Sequence, residues 1–377
     1  MPKIIAYNAE TTLVLSKPVD INSCLVLTGG GTNQTFFSCG AVACLVDNGL
    51  FDFKVISAVS GGTLLLTLID LCTSPLFEYW KQPDWYNRYV RKNVYNFTDC
   101  QVAATFFKNG FDPQKLSDYI FEQLSDFNKK FDQENNNVIC EYNYVDSNRK
   151  QVTCDHTDII DLKNKVEYPF WWILRPLRCV MPLTNFNSKP TYDAGVIANI
   201  PVNSIFTRYN PKNMIIIQAS PIMDYDTYPE LTIPEIAIGA LSNIMWAANN
   251  SSQDMLDLNI RNCDTVIYCS MSNSFAPSKD KYHNGLFSDW EQDVRQIVRF
   301  YNGAIYNDNT LMRIIENEGY IQMYYQLKKA YPKKKLVFKI PNPEVYNANV
   351  KEMVRESISK NVAFEFIKEI VKAPVLS

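Results

Sequence analysis

The chain has 377 residues, 46% of them hydrophobic and 20% charged, with a formal net charge of −3. That is enough apolar material for a large core, and the charge balance disfavours a nucleic-acid-binding role for the whole chain. Ten cysteines are scattered without a CxxC pair, which argues against a zinc knuckle or short disulfide framework and for buried thiols.

Ser23 to Thr28 is a short apolar run ending at Gly29-Gly30-Gly31, which reads as a buried strand. Thr35 to Asn48 spaces apolar residues as an amphipathic helix, closed by Asn48-Gly49. Lys54 to Val59 is a second strand, and Thr63 to Leu71 a helical run. Strand, helix, strand over so short a span predicts a right-handed crossover onto a parallel sheet. Ser60, in Ser57-Ala58-Val59-Ser60-Gly61-Gly62, then falls at the carboxyl end of a strand, where such sheets place ligands.

Leu76 to Tyr95 is rich in aromatics, and these, with Phe170, Trp171 and Trp172, read as core more readily than as a lid or acyl-chain pocket. Asp112 reads as the N-cap of a helix through about Lys130. Val138 to Tyr144 alternates and pairs with Gln151 to His156 as an expected inserted hairpin. Further strands are predicted at Met214 to Ala219 and Thr265 to Cys269, with helices at about Pro234 to Asn249, Ser288 to Tyr306, Leu311 to Tyr331 and Lys351 to Val371. The predicted fold class is α/β, a three-layer α/β/α arrangement on a mostly parallel central sheet. The expected organisation is a catalytic domain over 1–310 with an insertion around 75–170, and a C-terminal helical extension over 311–377 packed on it. No apolar run approaches the roughly 18 residues of a spanning helix and no signal-peptide pattern is present, so a cytoplasmic protein, at most peripheral on membranes, is expected.

Acyl transfer needs an oxygen nucleophile and N–H groups aimed at a developing oxyanion. The triple glycine offers bare amides and Ser60 reads as a strand–elbow–helix nucleophile. The base has three candidates: His156, His283, and Asp193 in Tyr192-Asp193-Ala194-Gly195. An aspartate on such a loop can accept the serine proton directly, without an imidazole. A Ser60–Asp–His283 triad, with Asp193 or Asp264 as the acid, is the alternative, although an α/β-hydrolase normally places more strands before its serine.

Gly29-Gly30-Gly31, Ala58-Val59-Ser60-Gly61-Gly62 and Asp193-Ala194-Gly195, in that order, resemble the three motif blocks of the patatin-like and cytosolic phospholipase A2 superfamily. The likeness is confined mainly to residues 22–72 and 190–206. It implies a patatin-like acyl hydrolase with Ser60 as nucleophile, Asp193 as general base, and Gly29, Gly30, Gly31 and Gly61 around the oxyanion. The implied substrate is a lipid ester, cleaved through an acyl-serine without cofactor or metal. Where the family has an arginine for the lipid phosphate, this chain has Asn33, a neutral amide that hydrogen-bonds without a charged fork. A catalytically inactive lipid-binding or assembly protein on the same fold is the reading from a different class. The lysines at 328, 329, 333, 334, 335 and 339 form a basic cluster that reads as a solvated helix end or, alternatively, an anionic-lipid contact.

Overall fold

The computed structural model describes residues 18–73, 79–97, 138–145, 151–155, 184–186, 189–219, 257, 259–270 and 309–346. Strand β1 (Val19–Leu27) leads into helix α1 (Gly31–Asp47), strand β2 (Val55–Val59) and helix α2 (Gly61–Thr73). A π-helical turn (Tyr86–Arg91) continues into α3 (Lys92–Phe97). Next come β3 (Ile139–Val145), β4 (Gln151–Asp155), β5 (Thr184–Phe186) and β6 (Lys189–Asp193). Then follow α4 (Val202–Arg208), β7 (Tyr209–Gln218), β8 (Thr265–Ser270), α5 (Asn309–Ala330) and α6 (Pro343–Tyr346). The helices expected at 112–130, 234–249, 288–306 and 351–371 lie outside the described residues, as do His156, His283 and residues 170–172.

The sheet runs β5-β6-β3-β2-β1-β7-β8, with β4 on β3. β1 pairs in parallel with both β2 and β7, β2 with β3, and β7 with β8. Every residue of β2 is buried, as expected of a parallel strand covered on both faces. Leu25, Leu27, Ile56, Ala58, Ile215 and Ile217 meet α1, α2 and α5 on one side. Cys24, Val26, Val55, Met214 and Ile216 meet α4 and the segment before it on the other. The result is a three-layer α/β fold on a mostly parallel sheet. β3 and β4 form the antiparallel hairpin that the alternation predicts, and β3 is also the parallel neighbour of β2, so this hairpin is built into the main sheet. Trp85 and Tyr86 join the larger core cluster, as their spacing suggested.

α1 departs from the amphipathic expectation. Gln34 to Leu45 are all buried, because α2 and α5 pack against α1 in addition to the sheet, and α5 itself also rests on β8. The crossing is backbone against backbone: a Cβ on Gly40 would collide with the Glu316 carbonyl, and one on Gly319 with the Phe37 carbonyl. Periodicity reports the face that meets the sheet; it does not report the neighbouring helices that cover the rest.

Glu318 on α5 is buried, with Oε1 accepting from Gln322 Nε2 at 2.7 Å and Oε2 without a hydrogen-bond partner among the described residues. Burial pushes its carboxyl from the ordinary 4.5 up to about 7. The unfolded chain therefore releases this proton first, and stability declines as pH rises from 4.5 to about 7. Glu318→Gln is expected to match the parent below about pH 4.5 and to exceed it above about pH 7. Urea midpoints across that window measure the crossover.

Candidate active site

β1 and β2 end side by side, and each hands over to a helix whose N-terminus points to the same place. Thr28 is fixed by its N–H donating to the Ile217 carbonyl at 3.2 Å. Gly30 caps α1 at φ 152°, in the region that favours glycine. The amides that open α1 follow it, and helix geometry leaves them no intrahelical acceptor. Neither α1 nor α2 has an acidic residue in its first turn, so no carboxylate from these helices offsets the two positive helix ends.

Ser60 joins β2 to α2 with φ 48°, a left-handed conformation costing an L-residue about 1–2 kcal/mol. Its carbonyl accepts from Thr63 N at 2.8 Å and Thr63 Oγ1 at 2.5 Å, which closes the elbow. Glycine at 62 lets α2 press onto β1: a Cβ there would stand 2.8 Å from the carbonyls of both Leu27 and Thr28. Thr35 Oγ1 donates to the Gly61 carbonyl at 2.7 Å, tying α1 to the start of α2. The serine is 7% exposed.

Gly29 contributes space. A Cβ there would collide with Asn199 Oδ1 and stand 3.1 Å from Ser60 Cβ. Its N–H donates to the Asn199 carbonyl at 3.2 Å, so this amide, expected at the oxyanion, is engaged elsewhere. Gly30, Gly31 and Gly61 lie along the two helix starts.

Asp193 ends β6, and its position follows from register. Asn143 of β3 faces Val59 on one edge and Thr153 of β4 on the other. At Tyr144 β4 keeps its edge through Val152, and Asp193 takes the edge where β2 has ended. The aspartate backbone thus meets β3 one residue beyond the position opposite Val59, the residue before Ser60. Ala194 packs with Val59 and Val145 in a small cluster at the same point. For Asp193 and Asn33 the structure describes the backbone element, and their side chains lie outside what it describes.

Two residues here went unassigned in the sequence. Gln34 Oε1 accepts from Thr28 Oγ1 at 3.2 Å and from Ala219 N at 2.5 Å, while its Nε2 donates to the Ile217 carbonyl at 2.9 Å and to Ser38 Oγ at 2.6 Å. It stitches the ends of β1 and β7 to the first turn of α1. The second is Asn199, whose Nδ2 donates to the Gly29 carbonyl at 3.3 Å.

The basic cluster is remote. Asn48, just past the C-terminus of α1, exchanges two hydrogen bonds with the Val337 backbone, at 3.1 and 2.7 Å. The 17 residues of α1 span about 25 Å, so the exposed lysines 333, 334, 335 and 339 stand at the far end of that helix from Ser60. Burial raises the thiols of Cys39 and Cys44, and Cys39 packs against Tyr86 and Glu316, in keeping with a packing role. Among the described residues no cluster of His, Cys, Asp and Glu is grouped to hold a metal ion, and no helix is long and apolar enough to cross a membrane.

Fold and site together define a three-layer α/β protein with a strand–serine–helix elbow facing a glycine loop. No protein-family model and no curated protein matches the chain. Among solved structures it is similar to human GIVD cytosolic phospholipase A2, solved with methyl gamma-linolenyl fluorophosphonate and terbium chloride. The identity is 13% over 53% of this chain and 40% of that chain, with a TM-score of 0.27. VipD from Legionella pneumophila is similar at 10% identity over 93% of this chain and 77% of that chain, with a TM-score of 0.32. The chain thus spans 40% of the length of the human phospholipase chain it matches.

Proposed function

We propose that the chain is a lipid acyl hydrolase of the patatin-like type, working through a Ser60–Asp193 dyad. Asp193 accepts the Ser60 proton as Oγ forms a bond to the acyl carbonyl carbon. The amides of Gly30, Gly31 and Gly61 stabilise the oxyanion. The ester C–O bond then breaks, and the proton passes from the carboxyl to the leaving alkoxide. Water, deprotonated by the same carboxylate, attacks the acyl-serine and releases the fatty acid, and the carboxyl returns that proton to Ser60 Oγ. The observation that carries the reading is the left-handed Ser60 at the end of β2, with the Asp193 backbone in register immediately beyond it.

The test is a fluorophosphonate probe on the intact chain. Labelling that disappears in Ser60→Ala supports the hydrolase; absence of labelling on well-folded parent protein leaves the non-catalytic scaffold. Asn33 favours a neutral headgroup, or none, over selection of a phosphate.

The lysine cluster makes a separate prediction. About 25 Å exceeds the Debye length of roughly 8–10 Å, so these charges act weakly on chemistry at Ser60. Replacing lysines 333, 334, 335 and 339 by glutamine is expected to change turnover of a water-soluble short-chain ester less than about twofold. Flotation with anionic vesicles on the same variant reads whether the cluster touches lipid.

A further inference from the structure

We propose that Asn199 is a positioning residue that locks the aspartate loop to the glycine loop, so that base and oxyanion amides are set as one unit. Its catalytic consequence rests on the hydrolase reading above. One residue engages both backbone polar groups of Gly29: the Asn199 backbone carbonyl accepts the Gly29 N–H at 3.2 Å, and Asn199 Nδ2 donates to the Gly29 carbonyl at 3.3 Å. Asn199 is 4% exposed, and its Oδ1 fills the space a side chain at Gly29 would need, on the side where Ser60 Cβ also stands.

The link from Asn199 back to Asp193 is short and hydrogen-bonded. The Ala194 carbonyl accepts from Ile197 N at 3.0 Å and Ala198 N at 2.8 Å, closing a turn that starts directly after the aspartate. Ile200 and Val202, on the far side of Asn199, are anchored in the core under the sheet. A displacement of the glycine loop is therefore passed to the base through Asn199, by one backbone and one side-chain hydrogen bond. An aspartate at 199 keeps the shape but sets a carboxylate oxygen against the Gly29 carbonyl, and an alanine removes the side-chain donor.

The experiment uses the full chain with Asn199→Asp and Asn199→Ala, a p-nitrophenyl ester followed through the pre-steady-state burst, and hydrogen exchange by mass spectrometry. The burst rate constant and kcat are expected to fall about 10²-fold, the cost of a small misplacement of reacting groups, with burst amplitude and KM little changed. Exchange is expected to speed up together in segments 28–34 and 193–201. A burst whose amplitude drops while its rate constant holds makes Asn199 merely structural and overturns the proposal. Exchange in segment 28–34 equal to the parent overturns it as well. A parent protein with no Ser60-dependent burst refutes the hydrolase reading instead. The exchange data then decide on the lock alone: joint loss of protection sustains it, unchanged exchange removes it.

Discussion

Asp193→Asn is expected to lower kcat/KM for an ester by about 10²–10⁴-fold, the usual contribution of a general base. Asparagine keeps the shape and cannot accept the Ser60 proton, so attack must proceed from a neutral hydroxyl, and the leaving alkoxide loses its proton donor. Ser60→Ala removes the nucleophile and is expected to cost more, on the order of 10⁶-fold. Because the two groups act on one proton, the double variant should be no slower than Ser60→Ala alone. His283→Ala should leave turnover unchanged, since the dyad holds no imidazole. Steady-state kinetics at matched concentrations of folded protein, with circular dichroism as a fold control, measures all four. A His283→Ala variant as dead as Ser60→Ala, beside a fully active Asp193→Asn, reverses the assignment in favour of a triad.

Glu316→Ala is expected to destabilise the fold by about 3–5 kcal/mol, the cost of removing one partner from a buried ion pair. The carboxylate is fully buried and takes Arg91 Nε at 2.5 Å on Oε1 and Arg91 Nη2 at 3.1 Å on Oε2. Tyr95 OH donates to Oε2 at 2.6 Å, Asn342 Nδ2 donates to Oε2 at 2.5 Å, and Cys39 Sγ donates to Oε1 at 3.4 Å. One carboxylate thus joins α1, the π-turn, α3, α5 and the segment before α6. Without it the Arg91 side chain, 18% exposed, keeps its charge with Asn87 Oδ1 and the Pro341 carbonyl as the weaker acceptors it already has. Replacing both members by apolar residues, Arg91→Met with Glu316→Leu, should cost less than Glu316→Ala alone, because no uncompensated charge stays inside. Urea midpoints of Arg91→Met, Glu316→Leu and the double form the cycle; a double that loses the sum of the two singles would show that the pair is solvated in practice.

These two predictions differ in how far the amino-acid order foreshadowed them. Ser60 was legible because local chemistry demands it: small residues at an elbow, an apolar run before it and a helical run after. Asp193 was legible as a candidate, since an aspartate on a glycine-containing loop is a local pattern too. Glu316 was not, because nothing in a helix written Ile-Ile-Glu-Asn-Glu-Gly marks both acids as buried or Glu316 as the partner of Arg91. Gln34 and Asn199 were equally silent: an amide declares its partner only when another segment arrives. Gly40 and Gly319 became meaningful only once α5 was seen crossing α1 at backbone contact.

The order of residues alone determined the local events: the glycine turn after β1, the serine elbow after β2, and the strands and helices whose periodicity is carried by near neighbours. Tertiary structure decided the pairing of β3 with β2, the seat of Asp193 beside the end of β2, the engagement of the Gly29 amide by Asn199, and the burial of α1 on all sides. The division has a physical cause. Backbone conformation and periodicity are set by groups a few bonds apart, while register, close approach and burial depend on segments separated by more than a hundred residues, such as Asn199 and Gly29.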